Sequence, residues 1–345
     1  MLRFECDYTE GCIPEILEAI ARENHTQLQG YSEDTLTERA RAKVRALCGR
    51  EDVAVHFLVG GTQANTTVIA AALRPHQGAI AAAQGHIACH ETGAIEASGH
   101  KVIALPSVTG RLNAAQIDAL CRDHWADATH EHQTQPAMVY LSHPAENGTL
   151  YTLEELRQIR AVCDRWNLKL FLDGARLGYG LAAPGNDITV PDLAALTDVF
   201  YIGATKVGGL FGEAVVIVDP TLAVDFRYHI KQRGGMLAKG WLLGLQFDVL
   251  LENDRYMTIS RRAVALALRI KEAFQAKGIA FWCDSVTNQQ FPILSNEALK
   301  KFDKKYVYSP TAKIDDDHTA VRFCTSWATT EAQVDELVAD IDRIL

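Results

Sequence analysis

The sequence lacks any apolar run near the ~18 residues that a membrane-spanning helix needs, so no bilayer partner is expected. The N-terminal stretch MLRFECDYTEG turns acidic at once and has no apolar core of the secretory kind, so no signal is read there. Eight cysteines stand far apart, at 6, 12, 48, 89, 121, 163, 283 and 324, without a CxxC pair. That pattern suits free thiols in a reducing compartment and makes the cytoplasm the expected location. No Lys/Arg block offsets the formal net charge of −9, which argues against a nucleic-acid partner. Neither a Walker A loop nor a GxGxxG fingerprint is present. His86, His90 and Glu91 have a spacing that zinc could use, but no HExxH order accompanies them, and no metal is expected.

What the chain does have is length and alternation. Its 345 residues can support one large and one small domain. DVAVHFLVGG reads as a buried strand, and TQANTTVIAAAL as the helix that follows it. GAIAAAQ, KVIALP, PAMVYLS, LKLFLD, DVFYIG and EAVVIVD are further strands, and CHETGAIEASG has a helical look. Leu153, Leu156, Ile159, Cys163 and Trp166 recur every three or four residues, one apolar stripe of a helix. Strands alternating with helices predict an α/β fold with a mostly parallel central sheet. After about residue 250 the pattern changes to one long amphipathic helix, two strands and a closing helix with a Thr330/Gln333 capping box. We therefore expect a large domain over 1–250 and a C-terminal α+β domain over 251–345. The His-rich stretch 123–135 reads as a surface loop.

Three features fall where strands end, the place where such sheets bind ligands. VGGTQAN (59–65) puts Gly60 and Gly61 before a helix whose first amides, including those of Gly61 and Thr62, could hold a phosphate. Most Gly-Gly turns of this kind are only turns. Asp173-Gly-Ala-Arg176 ends an apolar strand on a carboxylate, which is costly without a positive partner; a local Asp–Arg pair would explain it equally well. Lys206, in GATKVGG, ends the next strand among small residues and could be a plain surface charge. Together the three suit pyridoxal 5′-phosphate, which needs a phosphate cup, an amine to form a Schiff base and an acid at the pyridine nitrogen. His86, after another strand end, is a candidate to cover the ring.

HFLVGGTQAN, GHIACHETGAIE, LDGARLGYG, FYIGATKVGGLFGEAVV and VRFCTSWATTEAQVDEL resemble the low-specificity threonine aldolase family, within the β-eliminating lyases of the aspartate-aminotransferase fold (fold type I). The resemblance implies cleavage of L-threonine or L-allo-threonine to glycine and an aldehyde. Another β-eliminating lyase or an amino-acid racemase on the same scaffold is the alternative. It further implies that Lys206 carries the cofactor, Asp173 pairs with its ring nitrogen, His86 stacks on it, and Gly61 and Thr62 hold its phosphate. Arg176 and Arg322 would grip the substrate carboxylate, with Cys6 standing where the family commonly has serine. His143, in YLSHPAENGT, would be the second active-site histidine, in a run that departs from the family's Glu-Asn-Thr-His. The β-hydroxyl proton would go to His86 or His143. A homodimer or homotetramer is implied, with Lys231 or Lys239 reaching a neighbour's site.

Overall fold

The computed structural model describes residues 1–345. Seven strands form the main sheet: β1 (Ala54–Leu58), β2 (Gln77–Ala82), β3 (Lys101–Leu105), β4 (Gln135–Ser142), β5 (Lys169–Asp173), β6 (Val199–Gly203) and β7 (Glu213–Ile217). Their order is β1-β7-β6-β5-β4-β2-β3, parallel from β6 to β3, with β7 antiparallel to both its neighbours. The expected α/β fold with a mostly parallel sheet is what forms.

Side chains alternate across these strands, and the alternation sorts them between two cores. Val139, Leu141, Leu170, Leu172, Phe200 and Ile202 join the larger one. Met138, Tyr140, Phe171 and Tyr201 join the smaller one, beneath the helix Gly61–Ala72. The site lies on this second face.

A C-terminal sheet follows, with β8 (Gln289–Gln290), β9 (Ile293–Ser295), β10 (Ser309–Lys313) and β11 (His318–Cys324). β11 pairs antiparallel with the other three. The helix Arg255–Ala276 joins the two halves of the molecule: Ala263 and Val264 belong to the main core, and Leu266, Ile270 and Phe274 to the C-terminal one. Leu2–Arg3 pairs with Tyr306–Val307 and Phe4 enters the C-terminal core, which carries residues 5–7 toward the main sheet.

Two local expectations need correction. CHETGAIEASG is not one helix but two single turns, His86–Cys89 and Ala94–Ala97, because Thr92 and Gly93 take positive φ between them. Residues 123–126 of the supposed loop close the helix Ala114–Ala126, where buried His124 packs edge-on against Trp125 and His130. The Thr330/Gln333 capping box forms as expected.

Candidate active site

Asp173 is the last residue of β5 and shares a face with Phe171, so its carboxylate points under the helix Gly61–Ala72. It is 5 % exposed. Oδ1 accepts the Ala175 amide at 3.0 Å, and Oδ2 accepts the Tyr140 hydroxyl and, at 3.4 Å, the Asn65 amide. Tyr140 reaches it because Ser142 sits opposite Asp173 in the parallel register, and Tyr140 lies two residues back on the same face. The carboxylate still has a free lone pair for one more donor.

Asn65 also donates to Glu91 Oε1 at 2.7 Å, and the same oxygen accepts from His86 Nδ1 at 2.8 Å. Tyr140, Asp173, Asn65, Glu91 and His86 thus form one connected network. Burial works to neutralise His86, but the Glu91 hydrogen bond and the charges of Asp173 and Glu146 outweigh it and raise its pKa.

Lys206 lies in the turn after β6. Glycines let this turn pack on the one that follows Asp173. A β-carbon at Gly203 would stand 2.5 Å from the Ala175 carbonyl oxygen, and one at Gly174 would collide with that of Tyr201. The Gly203 amide donates to the Gly174 carbonyl at 3.0 Å. Burial and the Arg176 charge depress the Lys206 amine, against the pull of Asp7, Asp173 and Glu213. Glu213, buried at the start of β7, is pushed well up by burial, opposed by Lys206. A depressed lysine is a better nucleophile.

The arginines arrive already engaged. Arg176 Nε and Nη2 form a two-pronged pair with Asp7, at 2.7 and 3.0 Å, leaving Nη1 outside the fork. Asn288 adds a hydrogen bond to Asp7 at 2.9 Å. Burial opposes the Asp7 charge, but Arg176 and Lys206 outweigh it and hold its pKa at about 2. Arg322, on β11, donates to the Glu5 carbonyl at 2.7 Å and to Gln289 Oε1 at 3.2 Å, and its buried Nε has no partner. Cys6 is half-buried; burial raises its thiol pKa, and the Arg322 charge acts on it in the opposite sense. Cys6, Arg176 and Arg322 all act on the buried Cys324 thiol, so the three come together, and the Arg176 charge reaches Lys206 as well.

At the mouth of β1, the first intrahelical bond of Gly61–Ala72 runs from the Ala64 amide to the Gly60 carbonyl at 3.0 Å. No side chain caps this end, so the amides of Gly61, Thr62 and Gln63 point out of the helix free of backbone partners. A β-carbon at Gly61 would stand 3.1 Å from the Tyr201 hydroxyl, itself buried and unpartnered.

His143 is not brought to this group. It follows Ser142 and so turns to the other face, where its ring lies 6.5 Å from that of Tyr151 and against Gly180. It is fully buried, neither ring nitrogen has a partner, and burial lowers its pKa to about 4. What enters the site near it is Glu146, whose Oε1 accepts the His86 amide at 2.9 Å and the Ser142 hydroxyl at 2.8 Å. Tyr140, Glu146, Asn65, Glu91, Asp7 and Glu213 are the residues of the candidate site that sequence reasoning missed. Tyr140 alone left a usable trace, its even spacing from the end of β4.

The model of the beta-eliminating lyase family matches residues 6–294. The chain belongs to the beta-eliminating lyase family. Among relatives of this beta-eliminating lyase, a low specificity L-threonine aldolase from a Pseudomonas species is 29 % identical, over 99 % of this chain and 98 % of its own. A threonine aldolase structure from Leishmania major is 42 % identical, with a TM-score of 0.97, covering 100 % of this chain and 99 % of that one. An aspartate aminotransferase from Thermus thermophilus, 15 % identical with a TM-score of 0.69 over 100 % of this chain and 96 % of that one, shares the fold.

The family and this fold imply pyridoxal 5′-phosphate, and the residues fit it. Buried Tyr201 Oη, Asn65 Oδ1, Glu91 Oε2 and Glu213 Oε2 all lack partners. Tyr201 and Glu213 both lie within reach of the Asp173 charge, and Glu213 within reach of Lys206. A desolvated amine, an acid with a free lone pair and an open set of helix amides complete the donor and acceptor set that the cofactor requires.

Proposed function

We propose that this beta-eliminating lyase cleaves a β-hydroxy-α-amino acid, L-threonine or L-allo-threonine, into glycine and an aldehyde. The observation that carries the reading is the set of buried Asp173 with half-buried Lys206 and Arg176 at the ends of adjacent strands, in a chain 42 % identical to a threonine aldolase. When bound, the cofactor supplies a protonated pyridine ring that takes up the electron pair left on the substrate Cα.

The chain's own residues do the rest. Lys206 would hold the cofactor through its depressed amine, and the amides at Gly61 and Thr62 would receive the phosphate. Asp173, fixed by Tyr140 and Asn65, would hold the proton of the ring nitrogen. His86, turned by Glu91, would lie against the ring. Arg176 Nη1 and Arg322, with Cys6 beside them, would bind the substrate carboxylate and fix the orientation of the bonds at Cα. Asp7 holds the Arg176 plane for that task.

A dimer or tetramer is part of the proposal. The exposed segment around Lys231 and Lys239 supports it, with Lys231 Nζ 5.0 Å from the ring centre of exposed Tyr31. Light scattering of the purified protein tests it. The eight free thiols support a cytoplasmic location. Aldehyde release from L-threonine, L-allo-threonine and phenylserine tests the reaction. The racemase alternative requires inversion of alanine without aldehyde.

A further inference from the structure

We propose that Glu146 is the catalytic base that takes the β-hydroxyl proton. The inference rests on the aldol reading above and adds the residue that reading leaves open.

Four observations lead to it. First, Glu146 is clamped. It sits in a turn closed by Ala145 N–H to the Thr149 carbonyl (2.9 Å) and Gly148 N–H to the Ala145 carbonyl (2.8 Å). Gly148 has a φ of 76°, and a β-carbon there would overlap Ser285 Oγ at 2.1 Å, so the turn is pressed onto the C-terminal half. Second, its two oxygens differ. Oε1 accepts both local hydrogen bonds, while Oε2 accepts none and is not sealed in the interior.

Third, Glu146 is near both groups that would flank the reacting carbons: its Oε1 accepts the His86 amide, and its charge is felt at His86 and at Arg176. A substrate whose carboxylate is held by Arg176, beside a cofactor at His86, would bring its Cβ hydroxyl into this neighbourhood.

Fourth, the other candidates are already engaged. His86 commits Nδ1 to Glu91, and the reading above gives its ring to the cofactor face. His143 faces away. The Glu91 side chain is wholly buried, and Asp7 is locked on Arg176.

The step balances as follows. The hydroxyl proton moves to a Glu146 carboxylate oxygen, and the O–H pair becomes the second carbon–oxygen bond of the aldehyde. The Cα–Cβ bond breaks with its pair left on Cα. Protonation of Cα then gives glycine, and Glu146 returns its proton to solvent.

Glu146→Gln tests this, since an amide oxygen can still accept from the His86 amide and the Ser142 hydroxyl but cannot take a proton. The kcat for aldehyde release should fall on the order of 10²–10⁴-fold. Exchange of the glycine α-hydrogen in deuterium oxide, which involves no β-hydroxyl, should stay within about threefold. Cofactor affinity, titrated by absorbance, should be unchanged. Cleavage within about tenfold of wild type overturns the proposal, as does a parallel fall of cleavage and exchange, or loosened cofactor. If the unmutated enzyme releases no aldehyde from any of the three substrates, the aldol reading itself fails and this proposal with it.

Discussion

Replacing Asp7 by asparagine removes the partner of a buried guanidinium, and the structure sets the size of the effect. Asp7 is fully buried, and its carboxyl is held at about 2 against an ordinary value of 3.8. That difference of about 1.8, at 1.36 kcal/mol for each pH unit, corresponds to about 2.5 kcal/mol. Loss of one member of a buried pair costs about 3–5 kcal/mol in comparable cases, because the remaining charge is uncompensated. Asp7→Asn should therefore lower unfolding stability by about 2.5–4 kcal/mol at neutral pH.

The pH dependence gives the sharper test. Because the folded value is depressed, the contribution is complete above 3.8 and is lost as pH falls through about 2. Urea unfolding of wild type and variant, repeated at descending pH, should show the gap between them closing over that window. A gap below about 1 kcal/mol at pH 7, or one that does not narrow in acid, would refute the claim that Asp7 holds Arg176.

Other substitutions probe the rest of the site. Lys206→Ala should abolish the violet absorbance of bound cofactor and the activity together, as a spectrum of the purified variant would show. Tyr140→Phe removes a hydroxyl donor to Asp173 and should cost about 1–3 kcal/mol in kcat/KM, read from steady-state kinetics. Glu91→Gln should lower the titration midpoint of His86, followed by NMR of the ring protons. The raised His86 pKa stabilises the fold fully below 6.5, and that gain fades as pH rises through the folded value, so the variant should lose stability mainly on the acid side.

The sheet and the strand-end residues were legible because apolar runs and the residues that terminate them are local. Asp173 and Lys206 could be paired by eye, since their strands are neighbours in sequence as well as in space. Partners contributed from far along the chain could not. Asp7 meets Arg176 across a separation of 169 residues, and Asn288 joins them across 281 from Asp7, through a C-terminal half whose docking no local pattern reveals. His143 shows the other failure. The sequence placed it at the right strand end, but the twofold alternation of β4 hands that face to Tyr140 and Ser142. The register that sets Ser142 against Asp173 is a property of the assembled sheet.

Pyridoxal 5′-phosphate tethered to Lys206 is the claim on which the whole account stands. Borohydride reduction of the holoenzyme, followed by proteolysis and mass mapping, fixes the cofactor on whichever amine carries it. The account predicts a pyridoxyl group on the peptide containing Lys206 and on no other; a label on Lys231 or Lys239, or an unlabelled Lys206, would contradict it.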